Sequence, residues 1–204
     1  MKRSIALAVA VTALVLTATA AAKLSPWTFR DTGVTCAVSS TFSNGALHLA
    51  KPCTTPTVAS AGATITGVKG QTFSSASFTL ANASQCQGGS PRFNVVTTDG
   101  TFFLGCNNVS PVINAGGTAT YTFTASTIAA GGGQVKVPTG TITSVDVLID
   151  VQGSADLSTI TFNGRLELPC GQHHHGDEGN CGLHHQGGND QGEDNDDQGE
   201  DHDG

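Results

Sequence analysis

Charged side chains are scarce in this sequence, since Asp, Glu, Lys and Arg make up only 12% of its 204 residues. Nine basic residues against sixteen acidic ones leave no basic surface for a nucleic-acid backbone, so nucleic acid is excluded as a partner. Residues 171–204 contain no Lys or Arg, although ten of the acidic residues fall there. Residues 23–170 are nearly neutral, with seven basic and six acidic side chains. This middle segment has the composition and length of one ordinary globular domain.

Long apolar runs are also missing, and none reaches the roughly 20 residues that a membrane-spanning helix needs. The longest run, 5–16, follows Lys2 and Arg3 and leads through small residues to Ala20, Ala21 and Ala22. A charged start, a short apolar stretch and an A-x-A-like end are typical of a secretory signal peptide. We therefore predict that the first 22 residues are cleaved and that the protein is secreted, with the periplasm or the cell surface as alternatives.

Helical apolar stripes are absent as well. Between residues 23 and 170, apolar residues recur instead at every second position. In the clearest case, Ala119, Tyr121, Phe123 and Ala125 alternate with threonines. The same alternation marks residues 75–80, 93–97, 102–106, 145–151, 160–162 and 166–168. About eight to ten short strands at this spacing predict an all-β fold, an antiparallel β-sandwich or jelly roll. Asp99-Gly100 between two apolar runs predicts a hairpin.

The six cysteines suit an oxidising compartment and predict a domain stapled by disulfides. Six cysteines allow 15 pairings, so the sequence leaves the connectivity open. Proximity along the chain suggests the pairs Cys36–Cys53, Cys86–Cys106 and Cys170–Cys181.

Two stretches resemble known secreted domains. Residues 90–106, S-P-R-F-N-V-V-T-T-D-G-T-F-F-L-G-C, are similar to a recurring hairpin of uncharacterised secreted bacterial sandwich domains. Residues 145–164 resemble the final strands of jelly-roll carbohydrate-binding modules, where a strand ending in acidic residues precedes a strand of the form L-D-N-I-x-V-x-G. Here Ser158 and Thr159 replace the family's Asp and Asn. The resemblance implies a sandwich fold and carbohydrate binding, and the replacement argues against the family's structural calcium.

Residues suited to catalysis are few. The middle segment has one histidine, His48, and no Ser or Cys flanked by the glycines of a nucleophile elbow. Glycoside hydrolysis needs two carboxylates about 5–10 Å apart. Asp146 and Asp150 would share a strand face about 13 Å apart, at ~3.3 Å per residue. We therefore predict that the protein is not an enzyme and requires no cofactor.

Aromatic side chains that could stack on a sugar ring are rare, since the chain has one Trp, one Tyr and nine Phe. Trp27 is the candidate, although it could equally cap the sandwich. Arg92 and Asn94 alternate with Phe93 and Val95, so they face solvent and could hydrogen-bond a polar ligand or belong to an ordinary polar face. The predicted ligand-binding residues are Trp27, Arg92 and Asn94.

The segment 171–204 has too little apolar surface to fold, because Leu183 is its only sizeable apolar side chain. It also contains a short acidic repeat, D-Q-G-E-D at 190–194 and again at 197–201. We therefore predict a disordered C-terminal tail rich in His, Asp and Gly. The repeat lacks the ligand spacing of an EF-hand, so tight calcium binding is not expected.

Histidines cluster at the start of this tail, with five within thirteen residues. Neutral imidazoles bind Zn²⁺, Ni²⁺ and Cu²⁺, and carboxylates add oxygen ligands. The predicted metal ligands are His173, His174, His175, Asp177, Glu178, His184 and His185. An inert, solvating tail is the competing interpretation.

Together these features predict a secreted, non-catalytic binding or surface protein whose tail captures transition-metal ions. The alternative is a carbohydrate-binding or adhesion module whose tail is only a solvating spacer. The expected partners are thus metal ions or an extracellular glycan, and the sequence does not indicate the assembly state.

Overall fold

The computed structural model describes residues 23–132 and 135–169. The predicted signal peptide and the predicted metal-binding tail lie outside these residues, and so do Cys170 and Cys181. The described strands are β1 (Lys23–Arg30), β2 (Ser39–Ser43), β3 (Ala46–Lys51), β4 (Ala59–Ile65), β5 (Ala76–Leu80), β6 (Arg92–Thr97), β7 (Gly100–Gly105), β8 (Val112–Ile113), β9 (Ala119–Phe123), β10 (Ile142–Ile149), β11 (Gly153–Phe162), β12 (Arg165–Leu166) and β13 (Leu168–Pro169). One short α-helix, α1 (Ala125–Ala130), follows β9.

The strands form two sheets, which confirms the predicted all-β sandwich. The front sheet has the order β13-β1-β4-β10-β6-β7, and the back sheet has the order β2-β3-β11-β5-β9-β8, with β12 beside β11. Among the described strands only β1 and β13 pair in parallel; the other pairings are antiparallel. The consecutive strands β10 and β11 each insert between earlier strands of opposite sheets. Greek-key sandwiches and jelly rolls share this kind of crossing connection.

Aromatic rings from both sheets meet in the core. Phe93 of the front sheet lies 5.5 Å from Phe78, 5.9 Å from Phe123 and 6.2 Å from Phe162, measured between ring centroids. These four side chains are fully buried. Each burial of a phenylalanine stabilises the fold by roughly 1.5–3 kcal/mol, so this cluster holds the two sheets together.

The predicted hairpin is confirmed, although its turn lies one residue earlier than the Asp99-Gly100 pair that predicted it. Strands β6 and β7 pair from Arg92 with Gly105 to Thr97 with Gly100, which leaves Thr98 and Asp99 as the two-residue turn. The Asp99 N–H donates to the hydroxyl oxygen of Thr97 at 3.1 Å. This hydrogen bond fixes the turn and therefore the register of the pair.

Several predicted strand bounds were wrong. The strand predicted over 118–125 ends at Phe123, and Ala125 is the exposed first residue of α1. Thr124 and Thr127 form a capping box, in which each hydroxyl oxygen accepts the other residue's backbone N–H. Threonine suits both a strand and a helix N-terminus, so the alternation alone did not reveal the change. The strand predicted over 145–151 begins earlier and ends at Ile149.

Two of the suggested disulfides are present. Cys36 bonds to Cys53, and Cys86 bonds to Cys106. The sequence separations of the two pairs are 17 and 20. The second bond ties the segment before β6 to the end of β7, so it staples the hairpin as predicted. In the part of the chain that the structure describes, no helix has the length and apolarity of a membrane span.

Candidate ligand-binding face

Strand pairing brings the three predicted ligand-binding residues onto the outer side of the front sheet. Trp27 pairs with Gly62 of β4, Gly62 with Leu148 of β10, and Leu148 with Arg92 of β6. Residues paired across a sheet point to the same side, so these four residues form one row. Three strand spacings of ~4.8 Å place Trp27 about 14 Å from Arg92.

A neighbouring row completes this surface. Asn94 pairs with Asp146 of β10 on one side and with Phe103 of β7 on the other. Phe29 lies two residues after Trp27 on β1, and it therefore faces the same way. We call this surface the front face and define it by six residues. They are Trp27, Phe29, Arg92, Asn94, Phe103 and Asp146.

Gly62 makes room for the indole ring of Trp27. A Cβ atom at position 62 would lie 2.7 Å from Trp27 Cζ2 and 2.8 Å from Leu148 Cβ, which is too close for any side chain. The indole therefore lies over the bare backbone of β4. Its Nε1–H donates to Asp146 Oδ1 at 3.3 Å, and the Thr64 hydroxyl donates to the same oxygen at 2.6 Å. These contacts fix the orientation of a partly exposed ring.

Arg92 is held at the other end of the row by three contacts. Its Nη2 lies 2.6 Å from Asp150 Oδ2, and its Nε donates to Asn94 Oδ1 at 2.8 Å. The guanidinium carbon stands 5.3 Å from the centroid of the Phe103 ring, within the range of a cation–π contact. The Arg92 guanidinium is therefore oriented before any ligand arrives.

The charge of Asp150 is stabilised by its neighbours. Burial alone raises the pKa of Asp150, but hydrogen bonds from Ser90 and Arg92 and the positive charges of Arg92 and Lys51 outweigh it. The net pKa is below the usual range, so the carboxylate stays ionised. The Ser90 hydroxyl donates to Asp150 Oδ1 at 2.7 Å. Asp150 therefore serves to position Arg92.

The front face combines exposed rings with polar groups. Phe29 and Phe103 are each 51% exposed; Phe29 lies on β1 beside the partly exposed Trp27, and Phe103 lies on β7, four strands away on the same face. Between the rings lie the carboxylate of Asp146 and the amide of Asn94, in addition to the remaining N–H groups of Arg92. Such a surface can stack on the apolar face of a ring and hydrogen-bond the groups around that ring.

The back sheet carries a histidine–carboxylate pair that the sequence did not reveal. His48 Nδ1 lies 2.6 Å from Asp156 Oδ1, and His48 Nε2 lies 3.1 Å from the carbonyl oxygen of Ser43. Gln85 donates to Asp156 Oδ2 at 2.9 Å. The hydrogen bond to Asp156 raises the pKa of His48, against the smaller lowering by burial. Both ring nitrogens face acceptors, so this arrangement suits an imidazolium that pins β3 to β11.

Lys51 is a buried cation between the sheets and was also missed. It is 1% exposed, and its Nζ donates to the carbonyl oxygens of Thr55, Thr57 and Asp150 at 2.9, 2.8 and 2.6 Å. The ammonium thus gives its three hydrogens to three backbone carbonyls. It fixes the loop after β3 against the end of β10. The contact at the end of β10 is with Asp150, whose carboxylate binds Arg92.

Glu167 is a buried acid near the end of the described chain. It is 3% exposed, and neither carboxyl oxygen has a hydrogen-bond partner within the described residues. Burial raises the pKa of Glu167 to about 7, although the nearby charge of Arg165 opposes the shift. This residue has no part in the front face, but its raised pKa is expected to make the stability depend on pH.

The predicted metal ligands all lie in the tail, which is outside the described residues. Within 23–132 and 135–169, no group of three or more His, Cys, Asp or Glu side chains is placed to hold a metal ion.

No family model matches the chain, and comparisons with curated proteins and with solved structures find no similar protein. The resemblance to carbohydrate-binding modules therefore stays a prediction.

Proposed function

We propose that this chain is a secreted, non-catalytic binding protein and that its front face binds a carbohydrate. The observation that supports the proposal is the placement of Trp27, Arg92 and Asn94 in adjacent rows of one sheet face. The flanking Phe29 and Phe103 extend the same surface. The alternative role of Trp27 as a cap at the end of the sandwich is disfavoured, because the ring lies over the middle of β4 at Gly62.

Carbohydrates suit this surface for a chemical reason. A pyranose presents C–H groups on its faces, which stack on aromatic rings, and hydroxyls around its rim, which need paired donors and acceptors. Asp146 and Asn94 offer acceptors, while Arg92 and the Asn94 amide offer donors. The charges of Arg92 and Asp150 offset each other, and the carboxylate of Asp146 remains, so a neutral glycan is favoured over an anionic one.

Export of the protein fits this function. The predicted signal peptide over 1–22 would direct the chain out of the cytoplasm. Extracellular glycans would then be within its reach. Disulfides such as Cys36–Cys53 and Cys86–Cys106 persist mainly in oxidising compartments. The periplasm and the cell surface are the alternative locations.

Replacing Trp27 with Ala should weaken glycan binding at least tenfold, equivalent to about 1.4 kcal/mol, because the stacking surface is lost. Binding would first be sought on a glycan array and then measured by calorimetry. Val112→Ala is the control, since Val112 is 65% exposed on β8, an edge strand of the other sheet. Equal affinity of the Trp27→Ala and Val112→Ala variants would refute the proposed site, provided that both remain folded.

Capture of transition metals by the tail is a second candidate function. The observation that favours it is the density of histidines, with five between His173 and His185 interspersed with acids. The two functions are compatible, because the front face and the tail share no residues. Cu²⁺ should bind more tightly than Ni²⁺ or Zn²⁺, following the usual order of divalent affinities.

Metal uptake by the tail should depend on pH. Protons compete with metals for imidazole, whose ordinary pKa is about 6.5, so uptake should be strong at about pH 7.5 and largely lost by about pH 5. Calorimetry with Zn²⁺ and Cu²⁺ would compare the full chain with a variant whose five histidines are Ala. Persistence of the pH-sensitive uptake in that variant would show that the ligands lie elsewhere.

A further inference from the structure

A groove runs beside β7, at the edge of the front sheet. It encloses about 740 Å³ between residues 99–103 and a chain segment that includes Val135, Lys136, Val137 and Thr139. Since β7 is the last strand of its sheet, one of its sides has no neighbouring strand. The groove therefore borders backbone groups that are free to pair.

The hairpin geometry identifies these backbone groups. Residues that flank a two-residue turn form a hydrogen-bonded pair, and such pairs alternate along an antiparallel ladder. Thr97 and Gly100 flank the turn, so Gly100, Phe102 and Leu104 bond to β6. The N–H and C=O groups of Thr101 and Phe103 point away from β6, and within the described chain no partner strand or loop backbone bonds to them.

The floor of the groove is apolar. Phe102, Val135 and Val137 are partly buried and pack against the core. A strand added to β7 would pair with Thr101 and Phe103, and its residues at those positions would face outward. The residue between them, opposite Phe102, would point into the groove. That position should therefore hold an apolar side chain.

The size and charge of the groove favour a short peptide over a folded partner. Only nine residues line it, whereas a stable protein interface uses roughly 20–30 residues on each side. Lys136 on the rim is exposed and has no ion pair within the described residues, while the Asp99 carboxylate accepts from Thr139 at 2.8 Å. An acidic residue at one end of the peptide would thus meet an available cation.

We propose that the edge of β7 is a docking site for a short, extended peptide that adds a strand to the front sheet. The peptide alternates polar and apolar residues and carries an acid near Lys136. This mode of recognition uses backbone hydrogen bonds for affinity and pockets for alternate side chains for specificity. The chain's own tail is a poor occupant, because residues 171–204 contain one sizeable apolar side chain, Leu183. The proposal does not depend on glycan binding.

The test uses the ¹⁵N-labelled full chain and a synthetic hexapeptide, Thr-Val-Thr-Val-Thr-Glu. Millimolar peptide should shift the amide resonances of Thr101 and Phe103 saturably. The N–H groups of the peptide threonines point toward β7. Methylation of these nitrogens should therefore weaken binding at least tenfold. Methylation at the valines, whose N–H groups point away, should leave the affinity within about threefold.

A variant of the protein gives an independent measurement. Thr101→Pro removes one edge N–H that β6 does not use, and proline is tolerated on edge strands. It should weaken peptide binding at least tenfold and leave the melting temperature within a few degrees. Equal binding of the two methylated peptides, or no saturable shift, would overturn the proposal. Concentration-dependent shifts of the same resonances without peptide would instead indicate pairing between two copies and would also overturn it.

Discussion

Replacing Lys51 with Met is expected to lower the free energy of unfolding by about 4 kcal/mol. Methionine fills a similar volume but leaves three carbonyl oxygens, those of Thr55, Thr57 and Asp150, without the buried ammonium that they share as a donor. Each such loss costs about 1–3 kcal/mol when water cannot replace the donor. The melting temperature should fall by roughly 10 °C, measured by calorimetry or by circular dichroism.

Lys69→Met is the matched control for this change. Lys69 is exposed, so the same substitution removes the same charge without disturbing a buried contact. It should change the free energy of unfolding by less than about 0.5 kcal/mol. If the two variants unfold alike, the Lys51 ammonium does not hold the loop as described.

The second large effect concerns Glu167 and pH. The pKa of this acid is about 7 in the folded protein, against 4.5 when it is exposed in the unfolded chain. The folded state therefore binds the proton more tightly. Stability is greatest below about pH 4.5 and declines by about 3 kcal/mol as the pH rises to about 7, where the buried carboxylate ionises. Glu167→Gln should be more stable than the original protein at pH 8.

Denaturant unfolding at pH 5 and at pH 8 would measure this effect. The advantage of Glu167→Gln should be less than about 1 kcal/mol at pH 5 and about 3 kcal/mol at pH 8. His48 also loses stabilisation as the pH rises, since the pKa of His48 is raised in the folded state. Both proteins share that decline, so the difference between them isolates Glu167. An advantage that is the same at both pH values would contradict the assigned titration.

Alternation predicted those strands whose buried positions hold large side chains. Strands β5, β6 and β9 were recognised because Phe78, Phe93 and Phe123 stand out among small polar neighbours. Strand β4, A-S-A-G-A-T-I, was not, because small residues on both faces give no contrast. Strand β1 was missed because Pro26 and Thr28, on the same side as the buried Leu24, are exposed.

The front face could be predicted only in part. Alternation with Phe93 and Val95 was enough to turn Arg92 and Asn94 toward solvent. The presence of Trp27 on the same surface depends on the strand order β1-β4-β10-β6, which joins residues far apart in sequence. Trp27 and Asp146, which share a hydrogen bond, are separated by 119 positions.

The polar contacts of His48 and Lys51 also join residues that are far apart in sequence. His48 and Asp156 are 108 positions apart, and the acceptors of Lys51 include a carbonyl 99 positions away. Backbone carbonyls have no sequence signature, so no pattern of residue types could have predicted the site of Lys51.

The central claim, that the front face binds a carbohydrate, is tested most directly through Trp27, the only tryptophan in the chain. One tryptophan gives one indole N–H resonance, and in this structure that N–H donates to Asp146 on the front face. A glycan selected on the array would be titrated into the ¹⁵N-labelled full chain. The indole resonance should shift saturably, with the affinity measured by calorimetry. Saturable glycan binding that leaves the indole resonance unmoved would contradict the claim.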